Sequence, residues 1–196
     1  KPRLNKDIIE RMKLAEKAGV VALTIDLDSA GRAARATKGQ TVEPKTLDQL
    51  KELVKASPLP LLFKGIMTPD EAELCIQAGA AGIVVSNHGG RTLADTPGTA
   101  AVLPRIADTV NGRCYIMVDG TVARGTDVEK YIAMGAQCTL AGRHFVRAAH
   151  GGLADGVALF ANKLRSELAV GMVLTGAQRV SDINRKMVVI PKDYLA

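Results

Sequence analysis

Residues 78–91 read Ala-Gly-Ala-Ala-Gly-Ile-Val-Val-Ser-Asn-His-Gly-Gly-Arg, and this stretch contains one complete unit of the fold. Gly79 follows a helical pattern, at the place where a glycine commonly ends a helix in the left-handed conformation. The short, continuous apolar run at 82–85 is typical of a strand that a parallel sheet buries on both faces. Polar residues and glycines follow at once at 86–91. The stretch therefore predicts a helix end, a buried strand and a functional loop in succession.

The same unit recurs along the chain. A glycine that ends a helical pattern and leads into an apolar run occurs three times, and the residues seven positions later are Asp26, Ser86 and Gly142. Candidate strands are residues 20–26, 59–64, 82–86, 114–119 and 138–142. In α/β folds, sites form at the carboxyl ends of parallel strands. The alternation predicts a parallel sheet or a (β/α) barrel, and periodicity alone does not separate the two.

Amphipathic helices are expected between the strands, among them residues 8–18, 47–56 and 156–169. A threonine followed three residues later by Glu or Gln is the spacing of a capping box. This spacing predicts helix starts at Thr46, Thr68 and Thr126.

The composition is that of a globular protein, with 47% hydrophobic and 23% charged residues among 196 and a net charge of +6. Aromatic residues make up only 3%, which argues against a surface that stacks on nucleic-acid bases. No apolar run is long enough to span a bilayer, so no membrane partner is expected. The three cysteines are widely spaced and form no Cys-x-x-Cys pair, which favours core thiols in a reducing, cytoplasmic setting.

One long segment, residues 31–44, has no apolar face and carries several cations. It is predicted to be a mobile loop. Long loops of this kind often act as lids, but a solvated surface loop without a role fits the sequence equally well.

The loop after the central strand carries the strongest chemical signal. His88 can act as a general base near neutral pH, and Arg91 offers a planar fork that matches a carboxylate. The glycines between them allow close approach of a ligand. The alternative is a turn with a structural histidine, but the neighbouring Gly-Gly-Arg favours function.

Two further charged residues stand at strand ends. Asp26 is the natural partner of His88, because a carboxylate orients the ring and stabilises its positive charge. Asp28 is an alternative partner beyond the strand, and Asp26 could instead cap the following turn. Lys64 ends an apolar strand, where it needs a negative group or must extend to solvent.

The last two strands end in glycine turns, Asp119-Gly120-Thr121 and Gly142-Arg143. Loops after the seventh and eighth strands of barrels commonly bind phosphate through backbone N–H groups. Arg143 and Arg124 could add positive charge. Ordinary turns with solvated arginines are the alternative.

Together these segments resemble the FMN-dependent α-hydroxy-acid oxidases and dehydrogenases, which include glycolate and lactate oxidases. The resemblance is carried by Leu-Thr-Ile-Asp at 23–26, Phe-Lys-Gly-Ile at 63–66, Ile-Val-Val-Ser-Asn-His-Gly-Gly-Arg at 83–91, Val-Asp-Gly at 118–120 with Arg-Gly-Thr-Asp at 124–127, and Gly-Arg at 142–143. It implies an FMN-type (β/α)8 barrel, a TIM barrel. Residues 1–196 would form one partial domain with barrel strands 4–8 and the C-terminal helices.

The resemblance also implies the chemistry: oxidation of an L-2-hydroxy acid, of the lactate or glycolate kind, to the 2-oxo acid with FMN as cofactor. It makes His88 the catalytic base and a substrate contact, with Asp26 as its partner and Arg91 as the cation for the substrate carboxylate. The residues that it assigns to FMN are Thr24 and Ser86 at the ring, Lys64 beside N1 and O2, Asp119, Gly120, Thr121 and Arg124 at the ribityl and phosphate turn, and Gly142 with Arg143 at the phosphate.

Four positions depart from the family pattern. The departures are Thr121 for a second glycine, Ala123 for an arginine (with Arg124 beside it), His144 for a proline, and Ala33 for a second substrate-side arginine, between Arg32 and Arg35.

The likeness begins just after the third barrel strand of the family. We therefore expect an N-terminal segment to complete the barrel and, because open sheet edges favour association, a homo-oligomer. The alternatives are another FMN- or phosphate-binding barrel, such as an isomerase or an IMP-dehydrogenase-like enzyme, and a non-catalytic barrel fragment that needs a partner segment.

Overall fold

Five parallel strands form one sheet within residues 1–31 and 41–195, which are the residues that the computed structural model describes. The strands are β1 Leu23–Asp26, β2 Leu61–Ile66, β3 Gly82–Val85, β4 Tyr115–Asp119 and β5 Cys138–Leu140. Each strand pairs in parallel with the next one along the chain. Since parallel neighbours require crossover connections, the helices lie between consecutive strands. All five predicted strands are present, most of them shorter than the apolar runs that predicted them.

The helices are α1 Asn5–Lys17, α2 Leu47–Ala56, α3 Pro69–Gln77, α4 Thr99–Val110, α5 Gly125–Ala133 and α6 Arg143–Thr175. The capping boxes at Thr46 and Thr68 are confirmed. The predicted start at Thr126 is wrong, because Asp127 accepts hydrogen bonds from the backbone N–H groups of Ala123 and Arg124, at 3.0 and 2.9 Å. That carboxylate begins α5 at Gly125, two residues before the start that a cap at Thr126 would give.

The helices cover one face of the sheet and form the main core with it. Side chains alternate between the two faces of a strand, and members of β1 to β4 that face the helices are buried together, among them Ile25, Leu61, Phe63, Ile83, Val85, Ile116 and Val118. Burial of one such side chain contributes about 1.5–3 kcal/mol. The opposite face presents Thr24, Asp26, Lys64, Ser86 and Asp119. The register, which pairs Asp26 with Lys64 and Met117 with Val84, therefore gathers the predicted site residues at the carboxyl edge of the uncovered face.

The three cysteines are free thiols. Cys75 is buried in the core, and burial raises the pKa of its thiol to about 12. Cys114 and Cys138 are half-buried. Of the helices that the structure describes, none is both long and apolar enough to cross a bilayer.

The predicted mobile loop at 31–44 falls largely outside the described residues. Gly31 ends a short 3-10 turn that begins at Asp28, and the description resumes at residue 41. Arg32, Ala33 and Arg35 lie outside the described residues, so their predicted place near the substrate stays a prediction.

Candidate active site

Ser86 is the centre of a polar network at the carboxyl ends of the strands. It follows β3 directly and is fully buried, with 0% exposure. Its Oγ accepts hydrogen bonds from Lys64 Nζ at 2.7 Å and from the His88 backbone N–H at 3.1 Å, and it donates to Asp119 Oδ2 at 2.7 Å. The hydroxyl therefore uses its whole hydrogen-bonding capacity within the chain. It ties the ends of β2, β3 and β4 together, and its contact with a flavin ring stays a prediction.

Two carboxylates flank the imidazole of His88. Nδ1 lies 2.6 Å from Asp28 Oδ2, a short hydrogen bond between two side chains that are each 12% exposed. Nε2 lies 3.9 Å from Asp26 Oδ1, which is too far for a hydrogen bond. The direct partner in the structure is thus the alternative residue, Asp28. Asp26 is on the other side of the ring and acts on it through charge alone.

Asp26 is held by cations. Its Oδ2 accepts a hydrogen bond from Lys1 Nζ at 2.8 Å, and its Oδ1 lies 3.9 Å from Lys64 Nζ. Burial alone would raise the pKa of Asp26, but the hydrogen bond from Lys1 and the charges of Lys1, His88 and Lys64 hold that pKa below its ordinary value of 3.8. The carboxylate therefore stays ionised across the neutral range.

Lys64 meets its negative partners within the chain. Its ammonium group lies 3.0 Å from Asp119 Oδ2, and its side chain is only 14% exposed. The predicted contact of this lysine with FMN stays a prediction, but the structure places a negative group of the protein itself beside it. The group is Asp119, supported from a greater distance by Asp26.

A cavity of about 250 Å³ opens beside this network. Its lining combines the loop after β3, the turn after β4 and the start of α6: His88, Gly89, Arg91, Asp119, Gly120, Thr121, Val122, Leu140, Gly142, Arg143, His144 and Arg147. A Cβ at Gly89 would lie 2.9 Å from Arg143 Nη2. The guanidinium therefore packs directly on the backbone of the histidine loop, and a side chain at position 89 would displace it.

Arg91 is anchored next to His88. Its Nε donates to the His88 carbonyl oxygen at 2.8 Å, and the side chain is exposed and lines the cavity. Among residues 1–31 and 41–195, its two Nη groups have no hydrogen-bond or ion-pair partner. They remain available to a carboxylate.

The turn after β4 is braced from behind. Thr99 Oγ1 donates to the Asp119 carbonyl oxygen at 2.5 Å, and the Tyr131 hydroxyl donates to the Gly120 carbonyl oxygen at 2.7 Å. Thr121, which stands in place of the family's second glycine, adopts the left-handed conformation with φ +48°. The braced turn keeps its peptide groups in a fixed orientation.

Two of the predicted cofactor residues lie apart from this cavity. Arg124 is exposed and lines a neighbouring cavity of about 420 Å³, which shares only Gly120 and Thr121 with the first. Thr24 is exposed on the uncovered face of β1. Their contacts with FMN stay predictions.

Two ionisable residues that line the cavity, His144 and Arg147, were not among the predicted site residues. Arg147 follows Arg143 by four positions in the first turns of α6, so both arginines lie on one side of the helix. That spacing, next to the Gly-Arg pair, is a signal that could have identified Arg147.

The parallel β/α units and the basic, glycine-lined cavity at the strand carboxyl ends define a (β/α)-barrel protein with a site for an anionic ligand. The chain belongs to the FMN-dependent dehydrogenase family, whose sequence pattern matches residues 31–190. It is 45% identical over 150 residues to a 2-hydroxyacid oxidase of Dictyostelium discoideum, across 76% of this chain and 39% of that protein. It is 43% identical over 145 residues to an L-lactate dehydrogenase of Stenotrophomonas maltophilia, across 74% of this chain and 38% of that protein.

Solved structures show the same fold. A mandelate oxidase variant that carries a monooxide FMN adduct superposes with a TM-score of 0.84 at 34% identity, over 93% of this chain and 59% of the other. The predicted family and the FMN-type (β/α)8 fold class, with about five units in this chain, are therefore confirmed, and FMN is the cofactor of that family. The chain spans about two fifths of the length of those two curated relatives.

Proposed function

We propose that the full protein oxidises an L-2-hydroxy acid to the 2-oxo acid with FMN, and that His88 is its catalytic base. The observation that carries this proposal is the imidazole of His88, placed between Asp26 and Asp28 and beside Arg91 at the edge of a basic cavity. A base next to a free guanidinium suits a substrate with a hydroxyl and a carboxylate on the same carbon. The names of the two curated relatives support the substrate class.

The residues at the cavity fit FMN. The cavity lining includes Gly120, Gly142 and Arg143, a combination suited to a phosphate. Asp119 Oδ1 is buried and has no hydrogen-bond partner within the described part of the chain, so it can accept a bond from a hydroxyl of a ribityl chain. Lys64 lies next to Asp119, where it would face the polar edge of the ring. When bound, FMN accepts the two electrons that the substrate loses.

The protein groups then have distinct tasks. Arg91 binds the substrate carboxylate through its Nη groups, while its Nε bond to the His88 carbonyl keeps both residues in fixed relation. His88 takes a proton from the substrate at Nε2, the ring nitrogen without a hydrogen-bonded partner in the described residues. Asp26, 3.9 Å from Nε2, stabilises the resulting positive charge.

Three further features of the full protein are proposed. An N-terminal segment completes the barrel, which the greater length of the solved relatives supports. That segment would pair with the outer edges of β1 and β5, which are unpaired within residues 1–31 and 41–195. The full protein also associates with copies of itself. The three free thiols support a reducing, cytoplasmic location.

The test is anaerobic reduction of the flavin in the full-length protein by L-lactate, glycolate and L-mandelate. We expect at least one of these acids to bleach the bound FMN. His88→Gln should retain FMN and lose this reduction, whereas His150→Gln, the same change at an exposed helix position, should reduce as the wild type does. A full-length protein that binds FMN but is reduced by none of the three acids, or a His88→Gln variant with wild-type rates, would contradict the proposal.

A further inference from the structure

The structure assigns to Asp28 the task of holding the His88 ring in the orientation and protonation form that proton transfer requires, which makes Asp28 a positioning residue of this site. The catalytic consequence of this assignment rests on the proposed function. The assignment itself rests on geometry.

Asp28 and His88 form the shortest contact between two side chains of the site. The distance from Nδ1 to Oδ2 is 2.6 Å, and Thr92 Oγ1 lies 3.5 Å from the same oxygen. The other oxygen, Oδ1, is buried and has no hydrogen-bond partner among the described residues. Burying a carboxylate costs free energy unless a partner compensates it. His88 is the partner that compensates Asp28.

The backbone brings Asp28 to this place by an irregular route. β1 ends at Asp26, and the chain turns at once into a single 3-10 turn that begins at Asp28. β2 bulges at Gly65, which has φ +101°, and a Cβ there would lie only 2.5 Å from the Asp28 Cβ. The glycine bulge thus provides the space in which the Asp28 side chain lies, and this packing restricts its movement away from the ring.

The contact fixes the tautomer of the ring. An ionised carboxylate only accepts hydrogen bonds, so Nδ1 must carry the proton that it shares with Asp28. In the neutral ring, Nε2 then carries the lone pair and is the basic atom. Asp26 does not set this tautomer, because it lies 3.9 Å from Nε2 and its own oxygens are engaged by Lys1 and Lys64.

Nitrogen NMR of the full-length holoprotein, labelled at histidine, tests the assignment without any substrate. His88→Gln identifies the signals of His88. We expect the wild type to carry its proton on Nδ1. In Asp28→Asn the amide donates to Nδ1, so the proton should move to Nε2. Asp26→Asn, the same change on the other side of the ring, should leave the Nδ1 proton in place. A wild-type ring protonated on Nε2, or a tautomer that changes in Asp26→Asn and not in Asp28→Asn, would overturn the assignment.

Flavin reduction then measures the consequence. Loss of the correct tautomer lowers turnover by as much as about 10⁴-fold in a comparable carboxylate–histidine pair, so Asp28→Asn should slow reduction by about 10²- to 10⁴-fold. The dissociation constant of pyruvate, which needs only the guanidinium, should stay close to that of the wild type. Asp95→Asn, the same change at an exposed position of the same loop, should react normally. If no 2-hydroxy acid reduces the wild-type flavin, the proposed function fails, and the NMR result still decides the role of Asp28.

Discussion

Lys64→Met removes the charge at the centre of the site and keeps most of the length of the side chain. The ammonium group lies 3.0 Å from Asp119 Oδ2 and donates to Ser86 Oγ at 2.7 Å. The methionine leaves the Asp119 carboxylate with the Ser86 hydroxyl as its remaining hydrogen-bond donor. We expect the variant to be less stable and to bind FMN less well.

The magnitude follows from the degree of burial. At this separation two unit charges attract by about 5 kcal/mol at an effective dielectric constant of about 20. Exposed pairs retain about 0–1 kcal/mol of this, and removal of one partner of a buried pair costs about 3–5 kcal/mol. The two side chains are 14% and 22% exposed, between these limits and nearer the buried one. The expected loss in free energy of unfolding is therefore about 2–3 kcal/mol.

Denaturant unfolding of the full-length protein measures this loss, and a double-mutant cycle with Asp119→Asn isolates the pair. Lys51→Met, the same change at an exposed position of α2, is the control and should cost less than about 0.5 kcal/mol. A coupling energy between Lys64 and Asp119 below about 0.5 kcal/mol, the range of independent sites, would show that the pair contributes nothing beyond its separate residues and would contradict the expected loss.

Three further predictions concern the same region. Arg147→Ala should raise the dissociation constant of FMN about tenfold, as expected for loss of one charge-assisted contact, and Arg165→Ala on the same helix should not; an equilibrium titration of the apoprotein compares them. Gly65→Ala should destabilise the protein by more than Gly112→Ala in thermal unfolding. Both glycines have positive φ, a cost of about 1–2 kcal/mol, but only at Gly65 would the new methyl group collide with a neighbour. Folding lowers the pKa of Asp26, so its ionised carboxylate stabilises the protein fully above the ordinary value of 3.8, and this stabilisation is lost as the pH falls through the lower folded-state pKa. The free energy of unfolding, measured against pH, should therefore fall less steeply in acid for Asp26→Asn than for the wild type.

The strands and the edge that carries the site could be predicted because both depend on periodic signals. Continuous apolar runs indicated buried parallel strands, and the constant spacing after Gly19, Gly79 and Gly135 placed polar residues at equivalent strand ends. Helix α4 had no such signal. Its N-cap is Gly98, which supplies no side-chain hydrogen bond, and Pro104 lies inside it. Tertiary packing of its apolar side chains stabilises this helix where local capping does not.

The partner of His88 could not be predicted from spacing. Asp26 stands at the regular position at the end of β1, and regular spacing favoured it. Asp28 reaches the ring because a 3-10 turn follows β1 and because β2 bulges at Gly65. Neither feature produces a periodic pattern in the sequence. For Arg124, the early start of α5 leaves the side chain exposed at the helix N-terminus, on the side of the neighbouring cavity.

The charge distribution divides the site into two ends. At one end the carboxylates of Asp26, Asp28 and Asp119 face the ammonium groups of Lys1 and Lys64 and the imidazole of His88, so the protein supplies both signs of charge there. At the other end the cavity is lined by Arg91, Arg143 and Arg147, which have no ion-pair partners in residues 1–31 and 41–195. An anionic group gains more at the arginine end, because no carboxylate there competes for the cations. Part of the excess of positive charge in the sequence, 26 basic against 20 acidic residues, therefore lies where a phosphate and a substrate carboxylate would bind.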